Sequence, residues 1–371
     1  MNLSYWEIKS WFTNIDYTIV GSGIVGLSCA LSLKKRFPKS KILVLEKGAL
    51  PQGASTKNAG FACFGSLSEI LDDLKTHSEV EVLEIVKKRI DGLHLLRKNL
   101  GDKNINYLQY GGYELFSKED ESLYEYCLSK REETNVFLKP LFKDEVFSLK
   151  QNSFHFKKVK EQYVFNPFEG QIDTGKMMES LLYKVQSKGI KILNNTEVKA
   201  YEELKASVLV KTNLLEFSTS KLLVATNGFA TQLINEPVKP ARAQVLITSP
   251  IKNLHIKGTF HLDKGYYYFR NIDNRILLGG GRNLDFKGEE TTSLAQTSLI
   301  QDKLESLLKN TILPNIPFDI EHRWSGIMGV GNQKKAIVKP LSNHIFCGVR
   351  LGGMGVAIGS TIGNDLAQLI D

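Results

Sequence analysis

No run of about 18 consecutive apolar residues occurs in this chain, so no segment reads as a membrane-spanning helix. Residues Met1 to Phe12 carry Glu7 and lack a basic stretch followed by an apolar one, so no secretory signal is expected there. They read instead as a short helix outside the first strand. Cysteine is scarce: Cys29, Cys63, Cys127 and Cys347 are the only four, with no Cys-x-x-Cys spacing among them. That pattern argues against a disulfide framework or a thiolate zinc site. It fits reduced, buried thiols in a cytoplasmic protein. The seven histidines include no His-x-x-x-His or His-Glu-x-x-His pair, so no metal is expected. The net charge of +8 is spread over short groups such as Lys157-Lys158-Val-Lys160 and Lys334-Lys335. Without a long basic run or a basic–aromatic stripe, these charges read as solvated surface, and nucleic acid is not the expected partner. Internal repeats and low-complexity segments are also absent.

What is present begins at Asp16. The segment Asp16-Tyr-Thr-Ile-Val-Gly21-Ser22-Gly23-Ile24-Val25-Gly26 leads into an amphipathic run and then Ile42-Leu-Val-Leu-Glu46. This is a strand, a glycine turn, a helix and a second strand ending in an acid. Gly21 permits the tight turn, Gly23 lets the backbone approach a pyrophosphate, and Gly26 lets the helix pack on the strand. A pyrophosphate would sit at the helix N-terminus, where free N–H groups and the dipole favour anions. Glu46 lies twenty residues past Gly26, where an acid can accept hydrogen bonds from ribose hydroxyls. A dinucleotide site is therefore expected, and 371 residues with 42% hydrophobic content allow two domains or one large domain with an insertion.

Three further segments suit cofactor contact. In Gly53-Ala-Ser55-Thr56-Lys57-Asn58-Ala59-Gly60, small residues allow a flat ring to approach, and Ser55, Thr56 and Asn58 offer hydrogen bonds. Ala225-Thr226-Asn227-Gly228 follows an apolar strand, where ligands lie in open α/β sheets. Gly348-Val-Arg350-Leu-Gly352-Gly353-Met354-Gly355 feeds the closing helix and aims N–H groups at an anion. Between these lie a capping box at Ser66-Leu-Ser-Glu69, a long helical pattern over Glu79–Leu100, a strand-like Tyr107–Tyr110, and a β-rich section from Arg242 to Gly281.

Taken together these motifs, with Gly170-Gln-Ile-Asp173 and Trp324-Ser-Gly326, resemble the D-amino-acid oxidase superfamily of flavoproteins over nearly the whole length. That group includes glycine oxidase, sarcosine oxidase, D-amino-acid dehydrogenase and γ-glutamylputrescine oxidase. The resemblance implies bound FAD and an α/β fold: a glutathione-reductase-like Rossmann domain with an inserted α+β substrate domain on a mixed, largely antiparallel sheet. The expected FAD domain is residues 1–80, 170–235 and 325–371, and the substrate domain 81–169 and 236–324. Lys47 and Val198 join the implied FAD contacts. The implied reaction is hydride transfer from a carbon bearing an amine to flavin N5, hydrolysis of the imine, and reoxidation by oxygen or another acceptor.

Departures from the family pattern narrow the expectation. Monomeric sarcosine oxidases attach the flavin to a cysteine, but Trp324-Ser-Gly-Ile-Met328-Gly-Val-Gly contains none, so non-covalent FAD is expected. Gly355 stands where those enzymes have a carboxylate-binding lysine, and Met328 stands where glycine oxidases have an arginine. Tyr266-Tyr-Tyr-Phe-Arg270 resembles a family strand facing the flavin, and alternation puts Tyr266, Tyr268 and Arg270 on one face. Tyr268, Arg270, Arg350 and Trp324 are the candidate substrate contacts, with Arg270 the candidate grip on a carboxylate. No acid–base residue stands out. Besides an oxidase, three alternatives stay open: a dehydrogenase serving a quinone or carrier, a tRNA-modifying flavoprotein, and an inactive FAD-binding protein.

Overall fold

A computed structural model describes residues 2–371. Two eight-stranded sheets organise it. The first is built on five parallel strands in the order Ile345–Val349, Glu216–Val224, Ile15–Val20, Ile42–Leu45 and Lys191–Leu193. Its central strands are buried along nearly their whole length, with the helices Ile24–Arg36 and Gly355–Gln368 on one face and the strands Val198–Glu203 and Val208–Thr212 on the other. The antiparallel strand Ile337–Pro340 closes one edge, and Val198–Glu203 and Val208–Thr212 extend from the strand Glu216–Val224.

The second sheet runs Ile320–Val330, Lys239–Thr248, Arg275–Gly280, Tyr267–Ile272, Thr259–Leu262, Gly112–Leu115, Gln162–Asn166 and Ser148–Gln151. It is antiparallel except where Gly112–Leu115 runs parallel to Thr259–Leu262. Phe260 and Phe269 stack at 4.5 Å on its far face, within a core of their own closed by the helix Ser298–Leu307. The opposite face turns toward the parallel sheet.

The helix Ile24–Arg36 starts at Gly23 and packs against the closing helix Gly355–Gln368. A Cβ on Gly26 would stand 2.0 Å from the Gly21 carbonyl oxygen, so only glycine lets the helix lie this close to the strand end. The same closing helix is gripped from its other side by the helix Glu79–Leu100, where a Cβ on Gly92 would meet the Ala357 oxygen at 2.0 Å. Ser78 opens that helix with a capping box, as Ser66 opens Leu67–Asp73.

Two of the expected domain boundaries do not hold. Glu79–Leu100 buries Val82, Val86, Leu93 and Leu96 in the core shared with the parallel sheet, so a cut at 81 divides one helix of that body. The strand Ile320–Val330 stays paired with Lys239–Thr248 as far as Val330, so a cut at 325 divides one strand. The expected strand Tyr107–Tyr110 is a loop with a single bridge from Leu108 to Gln171. No helix among the described residues is long and apolar enough to cross a membrane.

Candidate cofactor and substrate cleft

One cavity of about 650 Å³ runs from the C-terminal ends of the parallel strands to the inner face of the second sheet. Its position follows from topology, because ligands in open α/β sheets lie beyond the carboxyl ends of the strands. Gly21, Ser22, Gly23, Ile24 and Val25 line one end. The helix there has no side-chain cap; the Ile24 amide donates to Ser55 Oγ at 2.9 Å. Gly26 is off the cleft, and its task is the helix–strand contact described above.

Glu46 and Lys47 line the same end, together with Val198. Glu46 is buried, and its carboxylate accepts from Ser22 Oγ at 2.6 Å, the Ser22 amide at 3.2 Å and the Gly48 amide at 3.0 Å. A carboxylate has about four acceptor sites, so it retains capacity for a ribose hydroxyl. Glu46→Ala is expected to weaken FAD binding roughly ten- to hundredfold, the loss of about 1.5–3 kcal/mol for bonds to a charged acceptor. Titration of apo-protein with FAD, followed by flavin fluorescence, measures it. An unchanged dissociation constant would remove Glu46 from the site.

Ser55, Lys57, Asn58, Ala59 and Gly60 line the middle of the cleft. Thr56, expected among the cofactor contacts, is off the cleft, its hydroxyl donating to the carbonyls of Pro51 and Gly53. Asn58 shapes the loop by accepting from the Gly60 amide at 2.8 Å and from Thr174 Oγ at 2.9 Å. Ala225, Thr226 and Asn227 lie opposite, and Thr226 Oγ is buried with no protein partner. Gly228 is behind them, where a Cβ would strike the Met328 carbonyl at 2.5 Å. Asn227 Oδ1 accepts from the Leu351 amide and so ties this turn to the last glycine loop. Gly352, Gly353, Met354 and Gly355 line the cleft where the closing helix begins, again with no side-chain cap.

Two helix N-termini, the first with only its Ile24 amide taken by Ser55, an orphaned buried hydroxyl and a second-strand acid thus face one elongated cavity. That donor set fits a dinucleotide: diphosphate at the Ile24 helix, ribose at Glu46, and an anionic ring edge at the Gly355 helix.

The other end of the cleft is aromatic and charged. Phe61, Tyr266 and Tyr268 line it, and the Phe61 and Tyr268 rings meet edge to face at 5.5 Å. Burial pushes the Tyr268 phenol up to about 12, so it stays protonated. Alternation did place Arg270 on this strand face, but the structure takes it off the cleft. It is 2% exposed beneath the Asn58–Phe61 loop, and its Nη1 donates to the carbonyls of Ile172 at 2.8 Å and Gly60 at 3.3 Å. Burial lowers its pKa to about 10, which leaves it a cation at neutral pH.

Arg350 is also spent on backbone, donating to the Lys335 carbonyl at 2.9 and 3.2 Å and the Pro237 carbonyl at 3.4 Å. Trp324 lies outside the cleft and donates its indole N–H to the Lys57 carbonyl at 2.9 Å. None of these three reaches the cavity wall.

Arg282 and His261 do reach it, and sequence reasoning missed both. Arg282 follows the left-handed Gly281 at the end of Arg275–Gly280 and lies over the Phe286 ring at 4.8 Å. Among the described residues it has no carboxylate partner. The Gly279-Gly280-Gly281 run was the available signal, since it lets Arg282 turn back over the sheet. Cys63, Glu169 and His261 come within 4.8 Å of one another. Burial and the nearby Glu169 charge push the Cys63 thiol well above its ordinary value, so it is protonated.

The comparisons with known proteins agree with this geometry. No curated protein matches the sequence. Among solved structures, glycine oxidase from Geobacillus kaustophilus is similar at 17% identity and a TM-score of 0.75, covering 96% of this chain and 94% of that one. L-proline dehydrogenase from P.horikoshii is similar at 20% identity and 0.74, covering 96% and 93%. Iminodiacetate oxidase from Chelativorans sp. BNC1 is similar at 16% and 0.74, covering 95% of each chain. At these identities the likeness is one of fold. The family model for FAD dependent oxidoreductases matches residues 16–369, and with the dinucleotide-shaped cleft this makes the chain a member of the FAD-dependent oxidoreductase family, with FAD as its cofactor.

Proposed function

We propose that the protein oxidises the C–N bond of a small amine that also carries a carboxylate, with FAD held non-covalently. The observation that carries this reading is the unpaired Arg282 guanidinium, facing the same cavity as Phe61, Tyr266 and Tyr268. A planar fork of N–H donors without a protein acceptor suits a carboxylate bound bidentately. The aromatic side chains would enclose the carbon skeleton and exclude water. The names of the three similar structures add support: glycine, L-proline and iminodiacetate each join a nitrogen to a carboxylate. FAD, when bound, supplies the two-electron chemistry; the chain's own residues hold and orient the substrate.

Anaerobic addition of glycine, L-proline, iminodiacetate and a wider panel of amines and amino acids tests the proposal. Bleaching of the flavin by a carboxylate-bearing amine is the expected result. A panel in which no amine bleaches it would sink the reading. Peroxide formed on readmitting air then separates an oxidase from a dehydrogenase that needs another acceptor.

Non-covalent attachment has its own check. The strand Ile320–Val330 has no cysteine, and all four cysteines of the chain are buried. Acid precipitation is expected to leave the yellow colour in the supernatant. Colour retained by the washed pellet would contradict it.

A further inference from the structure

At the substrate end of the cleft, a buried polar pair has no task in the reading above. His261 lies on the strand Thr259–Leu262, in register with Tyr268 on one side and Glu114 on the other, so the three share a sheet face. The ring is 9% exposed and lines the cleft. Its Nε2 is buried with no hydrogen-bond partner, 3.6 Å from Oε2 of Glu169. Glu169 is 1% exposed, and its Oε1 already accepts from the amides of Phe64 at 3.1 Å and Gly65 at 3.4 Å. Oε2 is thus left for the ring and for the protonated Cys63 thiol beside it. Nδ1 of His261 is not enclosed in this way and has no protein partner, so it is the nitrogen left to the cleft. Phe61 meets the ring edge-on at 5.3 Å and holds its plane.

A carboxylate beside one ring nitrogen sets the tautomer: the neutral ring keeps its hydrogen on Nε2 and its lone pair on Nδ1. We propose that Glu169 and His261 form a proton-accepting dyad, with His261 Nδ1 taking a proton from the ammonium group of the substrate. The neutral amine is then the species that is oxidised. In this step one N–H bond of the ammonium breaks and one Nδ1–H bond forms; the imidazolium pairs with Glu169, and no electrons move. The inference rests on the amine reading of the preceding subsection.

The charged and titratable groups around the ring include Glu169, Cys63, Glu69 from the helix Leu67–Asp73, Glu114 from the adjoining strand on one side and the Tyr268 phenol from the strand on the other. Burial alone would lower the His261 pKa, but the Glu169 carboxylate outweighs it and raises the pKa above 6.5. Burial would likewise raise the Glu169 carboxyl, and His261 brings it below the usual range instead. Only the neutral ring accepts a proton. Flavin reduction should therefore rise with pH along a limb placed above pH 6.5.

The test is stopped-flow flavin reduction in FAD-loaded protein, using whichever panel amine bleaches the wild type. His261→Gln is expected to slow reduction at pH 7 on the order of a hundredfold, within the usual range for acid–base catalysis. The deficit should close as pH rises toward the amine's own pKa, with FAD content unchanged. Glu169→Gln should shift the limb to lower pH. A deficit that is independent of pH, or an unchanged profile, would overturn the dyad, because lost packing alone cannot move the limb. One equivalent of zinc in the purified protein would also overturn it, since Nε2 would then hold a metal. If no amine bleaches the flavin, the functional reading fails, and nitrogen-15 histidine NMR of the wild type decides the dyad separately. A ring with the Nε2–H tautomer titrating above 6.5, missing in His261→Gln, supports it; titration below 6.5 overturns it.

Discussion

Arg270→Ala is expected to lower the stability of the protein by about 3–5 kcal/mol and to strip it of FAD. Arg270 is among the largest fully buried side chains, so truncation leaves a cavity. It also strands the Ile172 carbonyl, which loses its Nη1 donor, and leaves the Gly60 carbonyl with the Ile172 amide alone. Gly60 lies on the cofactor cleft, so relaxation of that loop reaches the flavin site directly. Urea unfolding of the apo-protein gives the stability term, and flavin absorbance after desalting gives the retention. A variant with wild-type unfolding and FAD content, but a raised KM, would return Arg270 to the role that strand alternation alone suggested.

Arg282→Ala is expected to raise substrate KM, or to slow flavin reduction at low substrate, by roughly ten- to a hundredfold. FAD content and unfolding should not change, because the guanidinium makes no hydrogen bond or ion pair within the protein among the described residues. Arg282→Lys keeps the charge but loses the planar fork, so it should recover part of the affinity only. Kinetics with a panel substrate and its decarboxylated analogue separate the two contributions. The analogue should be indifferent to the substitution. An equal loss for both would show that Arg282 does not meet the carboxylate.

Placed side by side, these two arginines show what local pattern can and cannot resolve. Period-2 alternation put Arg270 on the same face as Tyr266 and Tyr268. It could not say that the Asn58–Phe61 loop, some two hundred residues earlier in the chain, crosses that face and covers Arg270 while leaving Tyr268 open. Arg282 follows the run Gly279-Gly280-Gly281, which signals a turn but not what that turn faces. Its access to the cleft depends on the turn at Gly281 and on which sheet face the turn overlooks. The same holds for His261 and Glu169, which are ninety-two residues apart and meet because Gly112–Leu115 pairs with Thr259–Leu262 on one side and, on the other, with Gln162–Asn166, just before Glu169.

The nucleotide end was legible for the opposite reason. The phosphate-facing turn, the helix that follows and Glu46 are fixed by constraints within about thirty residues: a close approach at Gly26, a free helix terminus, and one strand length to the acid. Ala225–Asn227 and Gly352–Gly355 could be recognised too, because backbone at a strand end or helix start is dictated by local glycine and small-residue content. By itself, then, the sequence determined the fold class, the cofactor and the family. The tertiary structure alone decided the domain edges at Glu79–Leu100 and Ile320–Val330, the burial of Arg270 and Arg350, and the cations and acid–base groups that line the substrate end. Those depend on which distant segments cover one another, and a side chain's chemistry is set by what covers it.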